Sequence, residues 1–241
     1  MTRYLLIISY IGDNYCGSQY QKEFPSVEKE LSRCISTILG ESVKPKLYSR
    51  TDSGVHALRA RAFFECNQEI NQATFLNSIN SVLPDDIRVV QFSKENRGAV
   101  NIYKKRKKTY LYLIYNHKHY FPPYLKQRAL WIKEFLDITL MNQATSHLIG
   151  NKNWEAFSAT GSPRQNSVRN VVNIRILRRG FLILIFIKGE GFLYKMVRLI
   201  TGLLLEIGKG NYSPAYVREI LTGRTYRRKV VPPYGLYLLS N

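Results

Sequence analysis

The sequence predicts an α+β fold made of two ferredoxin-like (RRM-like) halves, and two observations lead to this prediction. In the N-terminal part, apolar patterns and turn residues follow the order β-α-β-β-α-β, which defines the ferredoxin-like unit. After the basic run Lys104–Lys108 a similar series of elements begins again, with insertions. We therefore assign residues 1–100 to an N-terminal half and residues 101–241 to a C-terminal half.

In the N-terminal half, apolar residues at helical spacing indicate two helices. Ser26 precedes the first helix as a capping residue and Gly40 ends it, whereas Pro84 ends the second. The apolar positions are Val27, Leu31, Cys34, Ile35 and Ile38 in the first helix, and Phe75, Leu76, Ile79, Val82 and Leu83 in the second. The expected strands run over Arg3–Tyr10, Ala60–Cys66 and Ile87–Phe92, with one more directly before the polar segment Arg50–His56.

In the C-terminal half, the strongest pattern is a helix with an apolar residue at every third or fourth position. Its apolar positions are Leu193, Met196, Val197, Ile200, Leu203, Leu204 and Ile207. They predict one buried face, and Arg198 lies off that face. The other expected elements are strands at Thr109–Tyr115, Val168–Leu177, Phe181–Ile187 and Gly235–Leu239, a helix containing Leu140, Ala144 and Leu148, and a helix near Pro214–Leu221.

The charge of the chain indicates a polyanionic partner. The 241 residues include 36 Lys and Arg against 17 Asp and Glu, so the formal net charge is +19. Such an excess repels itself in a compact chain and becomes useful when phosphates are neutralised. A membrane surface would also attract it, but no apolar run approaches the roughly 20 residues of a transmembrane helix, and no secretory signal is indicated. We therefore expect a nucleic acid as partner and no membrane contact.

The cysteines and histidines do not predict a metal site. Cys16, Cys34 and Cys66 are widely spaced and the four histidines show no ligand spacing, which fits neither a disulfide framework nor a zinc site. The glycines in 189–191 and 208–210 lack the spacing of a dinucleotide-binding or phosphate-binding loop. We expect no metal, no cofactor and no bound nucleotide cofactor, and a reducing, cytoplasmic location.

Chemistry is expected in the polar segment Tyr48–Ala57, because it is short and lies between two predicted strands. Within it Asp52 is the sharpest candidate. Arg50 favours the ionised form of that carboxylate, and Gly54 permits an unusual backbone angle. An ordinary Asx-turn, in which Asp52 bonds its own backbone, would show the same pattern. The residues alone leave both interpretations open.

Four motifs in a fixed order resemble those of the tRNA pseudouridine synthase A family. The segment Arg50–Ala57 resembles the family signature Gly-Arg-Thr-Asp-Ala-Gly-Val-His, and the others are Lys108–Asn116, Phe192–Arg198 and Gly235–Leu238. Since they span essentially the whole chain, the set is far more specific than any single motif. The resemblance implies that the halves share a continuous, mainly antiparallel sheet, with helices on one face and an active-site cleft between the halves.

The chain departs from the family at a few positions near these motifs. The family commonly has Trp where this chain has Ser18, Gly where it has Ser49, and Ala where it has Ser53. Relatives often have His at the position of Lys195. None of these replacements removes a reacting group, so the activity of the family is still expected.

The resemblance implies an isomerase that converts uridine to pseudouridine in the anticodon stem-loop of tRNA, at positions 38 to 40. Asp52 is expected to act as the nucleophile, with a role as base on the ribose left open. Tyr110 is expected to stack on the flipped uracil and to carry protons, and Arg198 to pair with Asp52. Arg50 is expected to hold the base-flipped state. Without the resemblance, Tyr110 would be assigned to the core, Arg198 to a solvated face and Arg50 to a phosphate contact.

Basic runs are the candidate phosphate-binding residues. They are Lys104, Lys105, Arg106, Lys107 and Lys108, the run Arg224–Lys229, and a third patch of Arg175, Arg178 and Arg179. Tyrosines interleave with the charges, which is typical of RNA grooves, although charge runs are also common on solvated faces. The expected partner is tRNA, bound by a homodimer as in relatives.

Two other classes of function stay open. A non-catalytic RNA-binding or ribosome-associated protein would account for the charge and the aromatic residues, but not for Asp52 and Arg198 in their motifs. A nuclease that uses Asp52 would need a second carboxylate or a metal cluster, and the scarce acidic residues offer no obvious one.

Overall fold

The computed structural model describes residues 1–95, 107–159 and 166–240. The chain forms two compact units, one of Met1–Arg106 with Tyr237–Asn241 and one of Lys107–Leu236. The expected boundary between residues 100 and 101 lies outside the described residues, so the two predicted ranges stay a prediction.

Helices and strands appear close to where the sequence patterns place them. The strands are β1 (Thr2–Tyr10), β2 (Lys46–Leu47), β3 (His56–Cys66), β4 (Ile87–Lys94), β5 (Lys108–Asn116), β6 (Leu130–Ile132), β7 (Gly150–Asn153), β8 (Val168–Arg179), β9 (Leu182–Gly189) and β10 (Leu236–Ser240). The helices are α1 (Val27–Leu39), α2 (Gln72–Val82), α3 (Ile138–Leu148), α4 (Met196–Gly208) and α5 (Tyr216–Leu221). Short 3₁₀ turns lie at Pro123–Leu125, Glu155–Phe157 and Pro233–Gly235. Among the strands, β6 and β7 were not predicted from the sequence.

The first unit has the predicted β-α-β-β-α-β order. In its sheet β1 lies between β3 and β4, β2 pairs with β3, and all these pairs are antiparallel. The start of β3 also pairs with β10 in parallel, with Tyr237 opposite His56. The strand that follows the polar segment therefore has a neighbour on each side where it begins.

Aromatic side chains build much of the core of the first unit. The rings of Tyr4 on β1 and Phe92 on β4 stack at 5.1 Å, and Phe75 of α2 lies 4.4 Å from Phe92. Burial of such large apolar side chains supplies most of the driving force for packing, and offset rings add to it. This cluster fixes α2 against the sheet.

The beginning of α1 differs from the expectation. Ser26 occupies the predicted N-cap position with the extended backbone of a capping residue, but its side chain makes no capping hydrogen bond. The amide of Glu28 instead donates to the Ser18 carbonyl at 3.0 Å, because the preceding loop packs against the first turn. At the other end Gly40 is left-handed, with φ 67°, as predicted.

The second unit is built on the sheet order β6-β5-β9-β8-β7. Its neighbours are antiparallel except for β5 and β6, which are parallel. The protein is thus a mixed α and β structure, and the predicted α+β class is confirmed.

Helix α4 is more deeply buried than one apolar face would require. Among its 13 residues, all but Arg198 and Glu206 are buried. The sequence predicted a single buried face, and the difference arises because the segment around Lys229 covers the helix where Gly202 offers no side chain. No helix in the described parts of the chain combines the length and apolarity needed to cross a membrane.

Candidate active site

Asp52 lies in a tight turn between β2 and β3. The amide of Val55 donates to the main-chain carbonyl of Asp52 at 3.2 Å, and Gly54 takes the positive φ of 75° that this turn requires. The Asp52 side chain is half-buried and the neighbouring Arg50 is exposed. The carboxylate therefore sits on a fixed main chain at a position that a ligand can reach.

A second loop, residues 11–19, holds this turn through Thr51. The amide of Thr51 donates to the Ser18 hydroxyl oxygen at 2.8 Å, and the Ser18 amide donates to the Thr51 carbonyl at 3.2 Å. Ser18 is fully buried. The main chain directly before Asp52 is thus held at both its N–H and its carbonyl by one residue.

Two tyrosines complete this support. The Tyr10 hydroxyl is 2.8 Å from the Thr51 hydroxyl, and Ser53 donates from its hydroxyl to the Tyr15 carbonyl at 3.2 Å. Burial raises the pKa of Tyr10 well above its ordinary value, so it stays a neutral hydrogen-bonding group. Side chains on both sides of Asp52 therefore anchor the turn.

Glycine is required where the two loops meet. A Cβ atom on Gly12 would lie 2.2 Å from the Val55 carbonyl oxygen. At Gly17, where φ is +105°, it would lie 2.9 Å from the Thr51 carbonyl oxygen. The backbones of the two loops thus approach each other as closely as main chains can.

His56 acts as a structural hydrogen-bonding residue at the end of the turn. It is buried, and its Nδ1 accepts a hydrogen bond from the Gly12 amide at 3.0 Å. Its Nε2 lies 3.9 Å from an Asp13 carboxylate oxygen, and its ring is 4.7 Å from that of Tyr237. These contacts hold the end of the turn against the loop at residues 11–19 and against β10.

Tyr110 and Arg198 both belong to the second unit. Tyr110 on β5 is 7 % exposed and meets the ring of Phe192 edge-on at 5.4 Å. Arg198 on α4 donates from Nε to the Val231 carbonyl at 2.7 Å, and Tyr112 on β5 donates to the adjacent Pro232 carbonyl at 2.8 Å. The segment 231–232 therefore links the strand of Tyr110 to the helix of Arg198.

The predicted basic surfaces are only partly available for phosphate. The Lys107 ammonium nitrogen lies 3.8 Å from a carboxylate oxygen of Glu190. Burial lowers the pKa of the Lys108 side chain. Lys104, Lys105 and Arg106 lie outside the described residues. Arg178 donates to the side-chain oxygen of Asn116 and to the Leu136 carbonyl, so it serves the fold.

Sequence reasoning did not identify the loop at residues 11–19 as the support of Asp52. The available signal was a polar, glycine-containing stretch directly after a strand, of the kind that packs closely on a neighbouring loop. Among the described residues no group of three or more His, Cys, Asp or Glu side chains is placed to hold a metal ion.

Comparison with known proteins gives one family. A family model described as "tRNA pseudouridine synthase" matches residues 144–240. A protein of Syntrophomonas wolfei is 39 % identical over 243 residues, covering 100 % of this chain and 97 % of that protein. Proteins of Thermoanaerobacter sp. and Pseudothermotoga lettingae are 38 % and 33 % identical, each covering 100 % of this chain and 99 % of that protein. All three relatives are named tRNA pseudouridine synthase A.

Proposed function

The chain belongs to the tRNA pseudouridine synthase A family, and from that premise we propose that it isomerises uridine to pseudouridine in the anticodon stem-loop of tRNA, at positions 38 to 40. The observation that carries the proposal is the Asp52 turn, whose main chain is held by Ser18 on the side of Thr51 and closed by Val55. A carboxylate on such a rigid support loses little entropy when it meets a reacting ribose.

The reaction needs one carboxylate and no external reagent. The C1′–N1 bond of the uridine breaks, the uracil turns, and a C1′–C5 bond forms, while the C5 proton is lost and N1 gains a proton. Asp52 acts as the nucleophile on the nucleotide and is released when the new bond forms. The target base leaves its stack to reach Asp52, since the reacting bond is shielded within a helix.

Three further residues have proposed roles. Tyr110 stacks on the flipped uracil and carries protons, and its buried position on β5 gives it a fixed ring orientation. The exposed Arg50 holds the flipped state of the RNA. Arg198 pairs with Asp52, and its bond to the Val231 carbonyl limits its rotamers. The basic residues Lys104, Lys105, Arg106, Lys107 and Lys108 contact phosphates.

The first experiment measures tritium release from C5-labelled uridine in unmodified tRNA. We expect wild-type protein to release tritium with or without a chelator, and Asp52→Asn to lose at least about 1,000-fold in rate, as for the removal of other reacting groups. Asp85→Asn is the matched control, because it neutralises an exposed carboxylate that forms an ion pair with Arg88 and has no proposed role.

The outcomes separate the alternatives. Wild-type protein that binds tRNA but releases no tritium would favour the non-catalytic RNA-binding alternative. If Asp52→Asn keeps the full rate, the catalytic assignment is wrong while the family stays the same. Loss of activity with chelator would instead indicate a metal-dependent reaction.

The protein is further proposed to act in the cytoplasm as a homodimer. Its three cysteines are unpaired, as is usual in a reducing compartment. The dimer is carried over from the family. Light scattering on the active protein is expected to give twice the mass of one chain, and an active species with the mass of one chain would contradict the dimer.

A further inference from the structure

A cavity in the second unit lies apart from the residues proposed to act on uridine. Its volume is about 300 Å³, and it is bordered by the end of α5, the segment 223–228 and the turn after β7. Its polar lining includes Asn153, Glu155, Arg224, Thr225, Tyr226 and Arg228, whereas Tyr110 and Arg198 do not line it. This volume is at the lower end of small-ligand sites and is suited to a single nucleotide.

Two arginines are held at the wall of this cavity. Arg224 forms an ion pair with Glu219, and its guanidinium lies 4.9 Å from the centre of the Tyr216 ring. Arg228 donates from Nη1 to the Ser158 carbonyl at 2.8 Å. A guanidinium has five N–H donors, so these contacts orient both groups and leave donors for a phosphate.

Tyr226 lies between the two arginines in the chain and lines the same cavity. Its ring packs 5.8 Å from Phe157, and burial raises the pKa of its hydroxyl to about 12. The ring is therefore a fixed, neutral aromatic surface. An aromatic ring flanked by arginines is the arrangement that stacks and neutralises single-stranded RNA.

Glu155 also lines the cavity, so the lining combines an acidic residue with two arginines. A lining of both signs suits a ligand that carries both an anionic group and hydrogen-bond donors better than a bare anion. A nucleotide within an RNA chain carries one negative charge per phosphate and presents N–H donors on its base. Such a ligand can place its phosphate near the arginines and a donor near Glu155.

We propose that this cavity binds one nucleotide of the tRNA other than the uridine that is modified, with Arg224 and Arg228 on its phosphate and Tyr226 against its base. The inference rests on the proposed function, since it deepens how the tRNA is held. The proposal assigns different roles to residues of the basic run Arg224–Lys229. Arg224 and Arg228 line the cavity, whereas the exposed Arg227 does not, and Lys229 forms an ion pair with Glu206 at 2.7 Å.

The test compares neighbouring arginines that carry the same charge. Arg228→Gln and Arg224→Gln are expected to raise the KM for unmodified tRNA about 10-fold each, with kcat unchanged at saturating tRNA, as for the loss of one specific contact. Arg218→Gln is the matched control, because Arg218 is an exposed arginine of α5 that does not line the cavity, and it is expected to change KM less than about threefold. Equal effects at the three positions would show a diffuse charged surface and overturn the proposal.

A second measurement uses wild-type protein, because Arg228→Gln also loses the bond to Ser158. Amide hydrogen exchange in 153–156 and 220–228 is expected to slow when tRNA binds. Unchanged exchange in both segments would overturn the proposal, as would slowing by adenosine 5′-monophosphate alone, which would indicate a site for a free nucleotide. Tritium release reports separately on the proposed function, so a protein that binds tRNA without turnover would leave this test intact.

Discussion

At the scale of single residues, the Asp52 carboxylate depends on neighbours that do no chemistry. Ser18 uses its amide and its hydroxyl on the two main-chain groups of Thr51, and Gly17 lets the two loops approach. The Ser18 hydroxyl accepts the hydrogen bond of the Thr51 amide, which an indole in its place, being only a donor, could not accept. The Ser18 side chain is therefore part of what holds the main chain before Asp52.

Gly17→Ala is expected to reduce turnover more than stability. A Cβ atom would lie 2.9 Å from the Thr51 carbonyl oxygen and would displace the residue before Asp52, and misplacement of a reacting group by about 1 Å can cost about 100-fold in rate. We therefore expect kcat to fall at least about 10-fold in the tritium-release assay.

Gly210→Ala is the matched control for this change. Gly210 also has a positive φ, of 80°, but a Cβ atom there would have no neighbour within 4 Å. Both variants lose about 1 kcal/mol through the left-handed backbone, measured by urea unfolding. Equal kcat values for the two variants would show that contact with Thr51 does not position Asp52.

At the scale of elements, α4 is the helix that the periodic pattern of the sequence predicted, and it carries Arg198. Its apolar residues bury it nearly all round, and one of its few less buried residues, Arg198, holds the segment 231–232 at the Val231 carbonyl. Tyr112 of β5 holds the same segment at Pro232. The helix, the strand of Tyr110 and this segment therefore form one packed group within the second unit.

Gly202→Ala is expected to destabilise the protein, although the same change inside an ordinary helix stabilises it by about 1 kcal/mol. A Cβ atom on Gly202 would lie 1.9 Å from the Lys229 carbonyl oxygen, so the crossing segment must move. We expect the free energy of unfolding to fall by about 1 to 3 kcal/mol, the usual cost of overpacking, in urea titrations. A rise in that free energy would show that the segment at Lys229 does not press on α4.

At the scale of the whole molecule, the net charge of +19 attracts a polyanionic substrate electrostatically. Ion pairs such as Lys229 with Glu206 and Lys94 with Glu69 do not reduce it, because the 17 acidic residues are already subtracted from the 36 basic ones. The excess attracts a polyanion over a distance that salt limits, because the Debye length shrinks as ionic strength rises.

Binding of tRNA is expected to weaken steeply with salt. Between about 50 and about 200 mM KCl, release of condensed counterions from several phosphates predicts a rise in Kd of at least about 100-fold. The kcat at saturating tRNA should stay constant, since the chemistry proposed for Asp52 uses no mobile ion. Filter binding measures the first quantity and tritium release the second. A change in Kd below about threefold would mean that few phosphates are contacted.

The sequence by itself determined the α+β class, the β-α-β-β-α-β order and the α4 helix, because periodicity and turn residues act over a few positions. Through its motifs it also indicated the family and Asp52. Tertiary structure decided what holds Asp52: Thr51 bonds to Ser18 across 33 positions and to Tyr10 across 41. It also decided that Ser26 makes no side-chain cap and that Arg178 serves the fold. Such contacts join residues that only folding brings together, so no local pattern in the chain records them.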